Sequence, residues 1–173
     1  MKSRVDGNGM FSGYASLFNV RDQGGDIVLP GAFARSLRRK GARGIRMLHQ
    51  HDPAQPVGVW HEIREDDRGL FVRGRLALGT ARGRELAELV RIGALDGLSI
   101  GFRTVIAGRD PARRARLLKA VDLWEISLVT FPMMPEARIG GLRNVALRGH
   151  VAAGGGGRGR APEFLTAKGD RCT

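Results

Sequence analysis

The chain has 173 residues, enough for one domain that buries about two thirds of its unfolded surface. With 42% hydrophobic and 6% aromatic residues it fits a globular core of aliphatic side chains. No apolar run approaches the roughly 20 residues of a membrane span, and "MKSRVDGNGM" lacks the apolar centre of a secretory signal. The single cysteine, Cys172, excludes an internal disulfide and points to a reducing, cytoplasmic setting. The net charge of +12, from 29 Lys and Arg against 17 Asp and Glu, attracts polyanions without selectivity. No zinc-finger spacing, RNA-stacking motif or basic zipper accompanies it, so nucleic-acid contact is expected to be non-specific at most.

Residues 10–20, "MFSGYASLFNV", read as a strand followed by a turn at "RDQGGD". In "IVLPGAFARSLRRKG", Pro30 suits a helix start, Phe33 and Leu37 share a face, and Gly41 is placed to stop the helix. Residues 45–49, "IRMLH", predict a buried strand ending at "QHDPAQP". "VGVWHEI" then leads through "REDDRG" into "LFVRGRLAL", where Leu70, Val72, Leu76 and Leu78 alternate with Arg73 and Arg75 as in a half-buried strand. Thr80 can cap a helix over about 81–92 with Leu86, Leu89 and Val90 as its apolar stripe, and Gly93 fits its end. "LSIGFRTVI" and "LLKAVDLWEISLVTF" predict two further strands around the polar hairpin or loop "AGRDPARRAR", and Pro132 and Pro135 end the second.

The Gly- and Arg-rich stretch beyond Arg148 has no apolar period. The expected organisation is therefore a domain over 1–147 and a flexible tail over 148–173. Six or seven strands, mostly neighbours in sequence, with two inserted helices predict a mainly β, α+β fold. A closed or nearly closed antiparallel β-barrel is favoured.

Three residue types stand out. "DGLSIGF" contains G-x-S-x-G, but an α/β-hydrolase elbow needs a strand before the serine and a helix after it. Here a helix precedes and a strand follows, and the one later histidine is His150. Ser99 is then either an accessible nucleophile, with Gly97 and Gly101 admitting another backbone, or a small residue in a tight strand crossing. Glu125 shares strand parity with Val121, Leu123, Ser127 and Val129, an otherwise apolar face. A carboxylate there needs a partner: a histidine ring that it orients, or one of the many arginines at a strand edge. His51, in "LHQHDP", stands where a strand runs into a loop. The H-x-H spacing of His49 and His51 occurs in metal sites, but further ligands would have to come from scattered carboxylates, so no metal or cofactor is expected. Asp52, before Pro53, suits a turn cap better than orientation of the ring. A histidine, a serine and a carboxylate are the minimum set for acyl transfer to water.

The blocks "GYASLFNVRDQGGDIVLPGAFARSL", "LHQHDPAQPVGVW", "EDDRGLFVRGRL", "DGLSIGFRT" and "LWEISLVTFPMMPEARI" resemble, in order over about residues 10–140, the HK97-type prohead proteases of tailed phages and gene transfer agents. These enzymes are similar in fold to herpesvirus assemblins. The resemblance implies a serine endopeptidase that acts inside a procapsid, cuts the scaffolding region from the major capsid protein, and then cuts itself. By position it puts the catalytic histidine on His51, the nucleophile on Ser99 and the acidic third member on Glu125. It implies neither metal nor cofactor, and a homodimer only by analogy with the herpesvirus enzymes. Met133 and Met134 depart from the small residues usual after "LVTFP". A catalytically idle, scaffold-associated assembly protein is the competing expectation.

Overall fold

The computed structural model describes residues 4–140. The predicted tail over 148–173, the 147/148 boundary, His150 and Cys172 lie outside these residues. The described chain forms one seven-stranded sheet and two helices. In order these are β1 (Met10–Leu17), β2 (Asp26–Val28), α1 (Ala34–Lys40), β3 (Arg46–His49), β4 (Asp52–Glu65), β5 (Gly69–Leu76), α2 (Ala81–Ile92), β6 (Gly97–Asp110) and β7 (Ala115–Val129). No helix among them is long and apolar enough to cross a membrane.

Local signals act where the sequence placed them. Thr80 accepts a hydrogen bond from the Gly83 N–H at 3.0 Å, and Gly93 ends α2 in the left-handed conformation, φ 79°. Of the predicted stripe on α2, Leu86 and Val90 are buried, but Leu89 is 38% exposed. The first helix begins four residues after Pro30, and Phe33 is fully buried at its start. The polar hairpin or loop expected over 107–116 is a hairpin. β6 runs on to Asp110 and β7 resumes at Ala115, joined by one tight turn.

The barrel expectation is corrected on two counts. First, the sheet is mixed. β7 pairs antiparallel with β6 along one side, but parallel with β2 and with β3 on the other. β2 and β3 lie end to end along that side of β7, and α1 connects them. Second, the sheet is an open, curled half-barrel. Its edges, β1 and β6, share no ladder. Residues 137–140 lie between them, with single bridges from Ile139 to Gly13 and from Arg138 to Gly97. The Leu98 N–H donates to the Ala137 carbonyl and the Gly140 N–H to the Ser12 carbonyl, each at 2.8 Å. Asp96 pairs with both Arg4 and Arg138 and pins this segment.

The main core lies inside the curl. Trp60, Phe33, Met47, Leu70, Leu86, Leu98, Leu123, Ile126 and Leu128 fill it. The basic end of α1 is clasped to β7 through Asp122. Lys40 Nζ stands 2.7 Å from its Oδ1, Arg39 Nη2 lies at 2.5 Å, and the Trp124 indole N–H donates to Oδ2 at 2.9 Å. Lys40 also donates to the Leu123 carbonyl at 2.8 Å.

The Lys40 ammonium is the main cause holding the Asp122 carboxyl well below the usual carboxylate range, with the Trp124 and Arg39 donors adding to it. A carboxyl whose pKa is depressed on folding stabilises the fold above its unfolded pKa, about 3.9, and loses that contribution as pH falls further. Asp122→Asn should therefore cost about 1–2 kcal/mol at pH 7, as for a lost charge-assisted hydrogen bond. It should also flatten the acid limb of stability below pH 4, which urea titrations at pH 7, 4 and 3 would read.

Candidate active site

β3 and β4 are joined by a two-residue turn, Gln50-His51, with His49 opposite Asp52. Both turn residues are left-handed, φ 54° and 59°, the pairing that a type I′ hairpin requires. Gly, Asn and Asp are the usual occupants, and other side chains there cost about 1 kcal/mol or more each. β7 and the residue after it hold the strained tip. The Gln50 N–H donates to the Leu128 carbonyl at 3.0 Å, and its side-chain amide to Thr130 Oγ1 at 2.8 Å. The His51 N–H donates to Ser127 Oγ at 3.1 Å. Asp52 caps the start of β4 by accepting from the Ala54 N–H at 2.8 Å, the turn role expected of it.

This anchoring brings His51 Nδ1 to 2.7 Å from Glu125 Oε1. The second carboxylate oxygen accepts from Ser127 Oγ at 2.6 Å. The Glu125 side chain is 13% exposed and the imidazole 41%, so the pair is fixed on the protein side and open on the other. Ser99 stands directly across the strand pair from Ser127, and Gly101 directly across from Glu125. Directly opposed residues of antiparallel strands project to one face, with backbones about 5 Å apart. His51, Ser99, Glu125 and Ser127 thus form one polar cluster on the outer face of the curl, while Leu98, Ile126 and Leu128 face the core. The Ser99 hydroxyl makes no hydrogen bond among the described residues; catalytic hydrogen bonds are often long before substrate is bound.

Two expectations change here. Glu125 does not share the face of Val121 and Leu123. Opposite β7, Gly101 pairs with Glu125 but the next residue, Phe102, pairs with Leu123, so Trp124 is an unpaired bulge. The bulge reverses parity: Val121 and Leu123 point into the core before it, Ile126 and Leu128 after it, and Trp124 is half exposed. Of the flanking glycines, Gly97 does meet a backbone, while Gly101 has another cause. A Cβ on Gly101 would lie 2.0 Å from Glu125 Oε1, and one on Gly97 would lie 2.5 Å from the Val129 carbonyl and 2.8 Å from Pro132. Gly101 is bare because the carboxylate lies across it on its way to His51.

His49 is half-buried on the preceding strand. Burial chiefly, and then the Arg82 charge, push its imidazole below the usual value. His61 is exposed on β4. No group of three or more His, Cys, Asp and Glu among the described residues could hold a metal ion. Sequence reading gave Ser127 no role, although a serine two residues after a carboxylate on a strand is a usable signal. The concavities of about 290 Å³ beside Arg75–Gly79 and about 430 Å³ between Val5–Gly7 and α2 are not lined by His51, Ser99 or Glu125.

A family model described as Caudovirus prohead serine protease matches residues 1–149. The prohead protease of Enterobacteria phage HK97 is 37% identical over 139 residues, which cover 79% of this chain and 61% of that protein. The prohead protease of Escherichia phage T5 is 26% identical over 121 residues, covering 69% and 56%. The chain thus spans less than two thirds of the length of both. Among solved structures, the bacteriophage T4 capsid assembly protease shares the fold, with a TM-score of 0.59 at 14% identity over 71% of this chain and 82% of that one. The KSHV protease aligns more distantly, at a TM-score of 0.49 and 12% identity over 75% and 63%. With the family model spanning nearly all of the described residues, the chain belongs to the caudovirus prohead serine protease family.

Proposed function

We propose that this chain is a serine endopeptidase whose reacting groups are Ser99, His51 and Glu125, and that its substrate is the major capsid protein with its scaffolding region inside a procapsid. The observation that carries the reading is the His51 Nδ1–Glu125 Oε1 contact at 2.7 Å, on the same face as a serine one strand away. With Nδ1–H donating to Glu125, the other ring nitrogen, Nε2, is free to accept a proton. It takes the Ser99 proton as Oγ attacks a peptide carbonyl, and it returns a proton to the leaving amine. Glu125 keeps the ring in that tautomer and stabilises the imidazolium. Water then attacks the acyl-enzyme by the same route in reverse.

The location also favours a polypeptide substrate. The cluster lies on the outer face of a curled sheet, where the imidazole is 41% exposed, although Ser99 itself is buried, at 5%. An idle assembly protein remains the alternative, but it gives no reason for a buried carboxylate to meet a half-exposed imidazole at the tip of a strained hairpin.

Co-expression with a major capsid protein that carries its scaffolding region tests the reading. Intact mass should show loss of a capsid-protein segment with the unmodified chain, and no loss with Ser99→Ala or His51→Ala; processing that survives either change excludes the triad. Glu125→Gln should fold normally and slow processing by about 10²–10⁴-fold, the span over which a positioned base contributes. Gly101→Ala gives a finer test, because the added methyl collides with the end of a flexible side chain rather than with backbone. It should melt cooperatively near the parent temperature, yet lose most of its activity as Glu125 is pushed from His51. Full activity in Gly101→Ala would mean that the observed carboxylate position is dispensable.

A further inference from the structure

Ser127 is fully buried, directly opposite Ser99, and its hydroxyl has two partners. It donates to Glu125 Oε2 at 2.6 Å and accepts from the His51 main-chain N–H at 3.1 Å. We propose that Ser127 is a positioning residue of this site, a fourth member that sets the other two relative to each other. The proposal rests on the triad reading above.

A hydroxyl has one proton to give and lone pairs to receive, so one atom can hold a carboxylate and an amide at once. Its bond to Oε2 fixes the Glu125 side chain so that Oε1 faces Nδ1. Its bond from the His51 N–H holds the residue that bears the ring in its left-handed conformation, φ 59°. Without that bond, the His51 amide next to buried groups lacks a partner and the hairpin loses one of its ties to β7. Both ends of the Nδ1–Oε1 contact are therefore referenced to a single oxygen that burial keeps from moving. The arrangement needs a small residue with a hydroxyl: alanine loses both bonds, and cysteine keeps the size with only a weak donor. A serine retained merely to fill space would predict that alanine and cysteine leave the His51–Glu125 contact untouched.

The test uses the full chain and a fluorophosphonate probe, so that no peptide substrate has to be known. Labelling forms an Oγ–P bond at Ser99, expels fluoride, and passes the serine proton to His51. Ser127→Ala and Ser127→Cys should each label about 10–100-fold more slowly than the parent, corresponding to a loss of about 1.4–2.7 kcal/mol. Both should retain a cooperative melt, and both should lose the far-downfield proton resonance of Nδ1–H bonded to Glu125. Ser127→Thr, if it folds, should recover much of the rate. Parent-like labelling and a retained resonance in the cysteine variant overturn the proposal, even if the alanine variant does not fold. The control separates the two levels: Ser99→Ala must abolish labelling. If it does not, the triad reading fails; if it does while Ser127→Cys behaves like the parent, only the role of Ser127 fails.

Discussion

One unpaired residue in β7 decides where the proposed site of this protein can be. Trp124 has no partner on β6, and from that point every side chain of the strand changes face. Before the bulge the strand sends Val121 and Leu123 inward; after it, Ile126 and Leu128 take over that duty. Glu125 and Ser127 are thereby turned outward, onto the face of Ser99 and against the His51 turn. A regular strand would bury the carboxylate in an aliphatic core, where its charged form has no adequate solvation. The bulge is itself secured from outside, since Asp122 receives the indole N–H and the Lys40 ammonium lies 5.8 Å from the ring centroid. α1, remote from the nucleophile, thus contributes to the site by holding the strand irregular.

The second constraint is the turn bearing His51. Two consecutive left-handed residues without glycine are an expensive way to connect strands, and the expense is offset by hydrogen bonds to Leu128, Thr130 and Ser127. All three partners belong to β7 or directly follow it. β7 therefore carries the acid, holds the histidine and pairs with the strand that carries the serine. The three proposed reacting groups, from two strands and a turn, are referenced to one element, which limits the relative movement that would separate them.

The sequence made α2 legible almost to the residue, because Thr80 and Gly93 act through local backbone geometry that needs no tertiary partner. The alternation of Leu70, Val72 and Leu76 with Arg73 and Arg75 was equally plain. What could not be read was set by distant contacts. Trp124 fits a regular alternation as well as it fits a bulge, so Glu125 was expected on the wrong face. Gln50-His51 is not a dipeptide that announces a tight turn, so β4 was expected to begin later than Asp52. The parallel pairings join β2 and β3 to a strand about 70–90 residues later in the chain, and in the open seam residues 137–140 lie between the sheet edges. Neither is written in local pattern. The candidate residues were named chiefly through resemblance to a family, while the reasons for their neighbours, Gly101 and Ser127, came from geometry.

The seam has a consequence in time as well as space. β1 begins at residue 10, yet its free edge is met only by residues 138–140, and Gly13 is bare because a Cβ would lie 2.2 Å from the Arg138 carbonyl. Contacts so distant along the chain carry a large closure entropy and form late. During synthesis the first strand must wait, paired on one side alone, until almost the whole described chain has emerged. The same segment touches the residues just before Ser99, through Asp96, Gly97 and Leu98. β6 therefore gains its full set of main-chain partners only once residues 137–140 are available.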